Sequence, residues 1–155
     1  MEDLTKELLE EYGERVIALA QHLDLNLEIN EEFETEEERE ERIQELKEER
    51  EDAIQAIKDD LECIVNDYDN TYSYYNQEYM VLTDSEADDA EDEALDNYLE
   101  ECIYPELPDH LRNYFDDDAW KRDARMDGRG HSLATYDGNE YEETVEGTTY
   151  YIYRV

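Results

Sequence analysis

The chain has 155 residues, enough for one domain or two small ones in series. It carries 49 Asp and Glu against 13 Lys and Arg, a net charge of 13 − 49 = −36, yet 39% of its residues are hydrophobic and 11% aromatic. Such a chain can fill a core, so it is a folded polyanion and not a disordered acidic tail. The charge speaks against direct nucleic-acid binding, which needs a basic footprint, and against anionic membrane surfaces.

Asp3 to about Leu23 places Leu4, Leu8, Tyr12, Val16, Leu19 and Leu23 at spacings of three and four, one stripe of an amphipathic helix. No apolar run reaches ~18 residues, and the acidic start MEDLTKELLEEYGER does not resemble a signal peptide, so neither a membrane span nor a leader is expected. Leu25–Phe33 is a connector. Thr35 and Glu38 form a capping box that opens a long helix to about Tyr68, with Ile43, Leu46, Ala53, Ile57, Leu61 and Ile64 on its stripe. Tyr72–Leu82 favours an extended segment. Thr83 and Glu86 make a second capping box for a helix through about Ile103, stopped by Pro105 and Pro108. Two short helices are predicted over Asp109–Phe115 and Asp117–Arg125, the second N-capped by Asp116. Three strands follow, His131–Tyr136, Tyr141–Val145 and Thr148–Arg154, with turns at Asp137-Gly138 and Glu146-Gly147. The predicted class is α+β: a helical hairpin over residues 1–70, an aromatic segment with an acidic helix over 71–106, and a small antiparallel sheet module over 107–155.

Charge is unevenly spread along these segments. Residues 59–111 hold 18 acids and no Lys or Arg, whereas residues 112–155 hold 10 acids and 6 basic residues. The acidic helix alone carries Asp84, Glu86, Asp88, Asp89, Glu91, Asp92, Glu93, Asp96, Glu100 and Glu101. At ~1.5 Å rise per residue these span ~27 Å, about one charge per 2.7 Å, against one per ~1.7 Å of duplex DNA. The carboxylates avoid the stripe Ala87, Ala90, Ala94 and Tyr98, so the helix is expected to present them outward as a surface mimicking DNA. A solvated acidic face and halophilic adaptation are the bland readings, though adaptation should acidify the chain evenly.

The residues Leu107-Pro108-Asp109-His110-Leu111-Arg112-Asn113-Tyr114-Phe115-Asp116, with Ala119, Trp120, Arg122 and Asp123, resemble the C-terminal region of ArdA-type antirestriction proteins. That region precedes a short β hairpin in the family, as it does here. The segment Val81–Asp88 is likewise similar to small acidic phage-encoded proteins. The resemblance implies a protein of phages or mobile elements, acting in the bacterial cytoplasm, that mimics B-DNA in the groove of type I restriction–modification enzymes, commonly as a homodimer. The family begins with a β-rich domain, whereas residues 1–68 here read as helical. The same logic serves an anti-CRISPR protein, since Cas effectors hold duplexes in basic channels. The rival readings are an acidic adaptor or chaperone for a basic protein, and an inert halophilic domain.

No enzymatic motif stands out. His131, Ser132 and Cys102 lack a nucleophile elbow or a Cys motif, and no HExxH or phosphate-binding loop is present. Asp116, Asp117, Asp118, Asp123 and Asp127 lack the glycine and spacing of a calcium loop. No catalytic residue, metal or cofactor is therefore assigned. Cys63 and Cys102 form no CxxC pair and read as reduced, buried thiols, with a disulfide between them left open. Lys121, Arg122, Arg125 and Arg129 form the one basic cluster, expected to tie the C-terminal module to the acidic helices. Tyr12, Tyr68 and Tyr98 are assigned to the core, Trp120 is expected against the strands, and Tyr150, Tyr151 and Tyr153 alternate on a strand with one face open or paired with another chain.

Overall fold

Gly13 adopts φ +87°, a conformation that L side chains rarely take, and it divides the first amphipathic stretch into two helices. In the computed structural model, which describes residues 2–28 and 43–155, α1 covers Glu2–Tyr12 and α2 Glu14–His22. The expected single helix from Asp3 to Leu23 is thus corrected. The break frees α2 to turn its Val16–Ala20 run into the interior, where all five residues are buried.

The next helix, α3, covers Ile43–Glu62 among the described residues and ends earlier than expected. The Thr35–Glu38 capping box lies outside the described residues. At the other end the backbone leaves the helix at Cys63, and Ile64–Tyr68 becomes strand β1. Ile64 and Val65, β-branched and poor in helices, pair instead with Tyr74 and Ser73 of β2, Thr71–Tyr74. Strand β3 covers Gln77–Thr83, so the extended segment is a hairpin, turned at Tyr75 and Asn76 with Tyr75 at φ +54°. Tyr68 consequently points out of the sheet, 67% exposed, and is no core residue.

Helix α4, Asp84–Tyr98, opens at the expected capping box: Glu86 N–H donates to the Thr83 hydroxyl, and Thr83 N–H donates to the Glu86 carboxylate. It continues as a wider π turn, Leu99–Ile103, and a 3-10 turn, Tyr104–Glu106, at Pro105. Beyond Pro108, α5 is limited to Asp109–Arg112, and α6 covers Asp117–Arg125 with Asp116 capping the Ala119 N–H.

The segment expected as a strand over His131–Tyr136 begins instead as the short helix α7, Arg129–Leu133. Gly130 explains this, because its backbone lies against residues 138–140 and a Cβ there would come within 2.7 Å of the Gly138 carbonyl. Asp137-Gly138 is accordingly a loop reversal leading from α7 into β4, Tyr141–Val145, and not a hairpin turn. Glu146 and Gly147, both with positive φ, do form the two-residue turn into β5, Thr148–Arg154.

The five strands among the described residues form one antiparallel sheet in the order β1-β2-β3-β5-β4, so strands from all three expected segments share it. The fold is α+β. Alternation on β3 and β5 sends Tyr79, Val81, Tyr150 and Ile152 toward a core shared with α1, α2 and α3. Met80, Leu82, Tyr151 and Tyr153 face the opposite side, where Ala87, Leu133 and Ala134 of the α4–α7 layer cover them. The tyrosine strand is therefore central and sheltered on both faces, which corrects the open or intermolecular face expected for it. The two cysteines are free thiols, but Cys63 is half-buried and Cys102 exposed, because both stand just past the helical stripes that fill the core.

Candidate functional site

Helix α4 packs its Ala87 and Leu95 inward, and the alanines let two neighbouring layers approach it closely. From one side comes Arg15 of α2, whose Nη1 donates to the Val81 carbonyl at 2.7 Å and whose Nη2 reaches Glu86 at 2.9 Å. From the other side come the cations of α6 and α7. Lys121 pairs with Asp92 at 3.2 Å and with Asp96. Arg125 pairs with Asp92 at 2.5 Å and Glu91 at 3.6 Å. Arg129 pairs with Asp84 at 2.9 Å and Asp88 at 3.1 Å. The basic cluster ties the C-terminal segment to the acidic helix as expected, except that exposed Arg122 joins none of these pairs.

Arg129 is the hub of this junction. Its Nε donates to Glu140 at 2.8 Å and its Nη2 to the second Glu140 oxygen at 3.3 Å, a bidentate clasp, while the guanidinium lies 4.4 Å over the Tyr151 ring. Burial works against its charge, but the hydrogen bonds to Glu140 and Asp84 outweigh burial and raise its pKa. Tyr153, fully buried, donates its hydroxyl to Glu140 at 2.5 Å, and burial followed by that contact pushes its pKa up.

Two carboxylates of α4 titrate in opposite directions. Burial pushes the Glu91 carboxyl up, and Arg125 and Arg129 only partly offset it; its Oε2 is buried without a hydrogen-bond partner among the described residues. Burial also acts on Glu86, but the backbone N–H and hydroxyl of Thr83 and the Arg15 guanidinium overcome it and hold Glu86 below the usual range.

The ten carboxylates thus separate into two sets. Asp84, Glu86, Asp88, Glu91, Asp92 and Asp96 are engaged inside the chain, and Glu91, 5% exposed, faces inward, which corrects the expectation that all point to solvent. The physical reason is the arrival of α6 and α7 on that flank of α4. Asp89, Glu93, Glu100 and Glu101 are exposed and belong to no ion pair among the described residues. So are Glu48, Glu51, Asp52 and Asp60 of α3.

Arg15, Glu140 and Tyr153 complete the junction; the first two were not singled out by sequence, and Tyr153 was read only as one of three alternating strand tyrosines. Arg15 lies 71 residues from Glu86, and no local spacing links them. His131 is exposed, no hydrogen bond joins it to Ser132, and Cys102 is exposed on the π turn. Asp116 caps α6 and Asp117 accepts from the Tyr104 hydroxyl at 2.6 Å. Among the described residues, no group of three or more His, Cys, Asp or Glu could hold a metal ion, and no helix is long and apolar enough to cross a membrane.

In comparisons with known proteins, the chain matches no family model, no curated protein and no solved structure. The likeness of the segment after Glu106 to the ArdA family therefore enters the functional reading only as an expectation.

Proposed function

We propose that this chain is a non-enzymatic competitor of DNA, a protein of phage or mobile-element type that occupies the DNA-binding groove of a host defence complex in the bacterial cytoplasm. The observation that supports this reading is the set of exposed carboxylates on α4, its π turn and α3 that join no ion pair among the described residues, in a chain of net charge −36. The internal pairs share few cations among many acids, Arg129 alone meeting Asp84, Asp88 and Glu140, so pairing leaves the net charge untouched and the solvent-facing surface acidic. Rows of fixed carboxylates offer a basic groove charge-assisted hydrogen bonds in place of phosphates, and they steer encounter at long range. The target class, a restriction–modification enzyme or a Cas effector, follows from the ArdA-like segment and from the basic channels of both.

The reading is tested by immobilising the chain, passing a bacterial lysate over it and eluting with duplex DNA. Restriction or Cas subunits released by DNA support it. A basic protein that stays bound at DNA excess favours the adaptor reading instead.

A further inference from the structure

We propose that the cleft between α4, α6 and α7 takes an arginine side chain from the basic partner, an assignment that rests on the competitor reading above. The cleft encloses about 540 Å³ and is lined by Ala94, Tyr98, Trp120, Asp123, Asp127 and His131, among others. Tyr98 and Trp120 stack at 5.6 Å with an interplanar angle of 8°, and Tyr98, expected in the core, is 50% exposed. Trp120 packs on this helix and not on the strands, because α6 lies along α4.

The chemistry of the lining selects the ligand. Asp123 and Asp127 sit at the C-terminal end of α6, where the helix dipole is negative, and neither pairs with a cation among the described residues. Asp92 and Asp96, on the neighbouring helix, each have Lys121 or Arg125. Two uncompensated carboxylates beside an open aromatic face repel an anion and attract a cation. A guanidinium suits them better than an ammonium, since its plane lies flat on a ring while its edge donates to a carboxylate in two parallel bonds.

The chain builds the same combination inside itself. Arg129 lies over Tyr151 while clasping Glu140, and Arg15 lies 5.4 Å over the Tyr150 ring while pairing with Glu86. In the cleft the aromatic and acidic halves of that arrangement are present and the arginine is to be supplied by another molecule.

Trp120 is the one tryptophan of the chain, so its fluorescence and indole N–H resonance report on this cleft. The whole protein is titrated with Nα-acetyl-arginine amide, with the lysine amide, and with the uncharged citrulline amide at matched salt. The arginine probe is expected to give a saturable Trp120 response, the lysine probe a weaker one, and citrulline none. Asp123→Asn combined with Asp127→Asn should weaken arginine binding about tenfold with the melting temperature retained, whereas Asp89→Asn should leave it unchanged. An equal response to citrulline or lysine, or one that survives the double Asn change, overturns the assignment. If DNA is still displaced from its target while arginine leaves Trp120 unmoved, the cleft assignment falls and the competitor reading stands. Arginine binding without displacement of DNA removes the partner and, with it, the assignment to a competitor's contact surface.

Discussion

Arg125 holds Asp92 at 2.5 Å, and the next residue along α4, Glu93, is exposed with no ion pair among the described residues. A single helix therefore uses one flank to fasten the fold and leaves another to solvent. Changing both flanks together would confound stability with binding.

Separating them gives the first expected outcome. Asp89→Asn with Glu93→Gln, Glu100→Gln and Glu101→Gln should keep or raise the melting temperature, because like-charge repulsion falls, while weakening competition with DNA. Each single change should shift stability by no more than ~1 kcal/mol. Arg129→Met should do the reverse and lower stability: Arg129 is only 15% exposed, but Asp84 and Asp88 are 70% and 66% exposed and regain water, so the loss should stay below the ~3–5 kcal/mol of a fully buried pair. Thermal melts and DNA-competition titrations of both variants check this.

The two opposed carboxylates of α4 predict opposite pH slopes. Glu86 is held below the usual range, so its contribution is present above an unfolded pKa of ~4.3 and is lost as pH falls through its folded value. Glu91 is pushed up, so its contribution is present in acid and is lost as pH rises through its folded value. At neutral pH Glu86→Gln should destabilise and Glu91→Gln should stabilise, because burial penalises the Glu91 carboxylate more than Arg125 and Arg129 favour it, and the amide has no charge to desolvate. Both differences should shrink toward acid. Urea unfolding midpoints across that range measure them.

Gly130 ties the junction to the loop before β4. Gly130→Ala should push residues 138–140 away and loosen the Arg129–Glu140 clasp, with the ~1–3 kcal/mol expected of overpacking. Tyr153→Phe removes the hydroxyl donated to Glu140 without changing the core shape, and ~1.5–3 kcal/mol is expected for a bond to a charged group. Calorimetric unfolding of the two variants separates a packing defect from a lost hydrogen bond.

What the sequence made legible was local. The capping box at Thr83 and Glu86, the Asp116 cap, the Glu146-Gly147 turn and the α+β class all depend on residues a few positions apart. Two helix boundaries were missed where one or two residues overrode periodicity: Gly13 split one stripe, and the β-branched pair Ile64 and Val65 ended another. The strand expected at His131 failed because Gly130 is required by a close approach of backbone 138–140, which no pattern of apolar spacing records. The ten carboxylates of α4 and its π turn look alike in sequence. Which of them are consumed depends on Arg15 and on α6 and α7, whose position follows from the sheet.

Packing also sets the worth of the aromatic at the cleft. Trp120 is half-buried, so Trp120→Ala should cost less than the ~3–5 kcal/mol of a fully enclosed tryptophan, whereas Leu61→Ala, at a fully buried site, should cost ~2–5 kcal/mol. If Trp120→Ala melts lower than Leu61→Ala, Trp120 is a core anchor and not the wall of an open cleft.

Displacement of DNA by the exposed carboxylates can be read by fluorescence anisotropy. A labelled duplex is bound to a purified type I restriction enzyme, and in parallel to a Cas9-type effector, and each complex is titrated with this chain at increasing salt. Release of the duplex from at least one complex is expected, weakening as salt screens the carboxylates and weaker again for the Asp89, Glu93, Glu100 and Glu101 variant. A duplex that stays bound to both at saturating protein, or a release indifferent to salt and to the four substitutions, would contradict it.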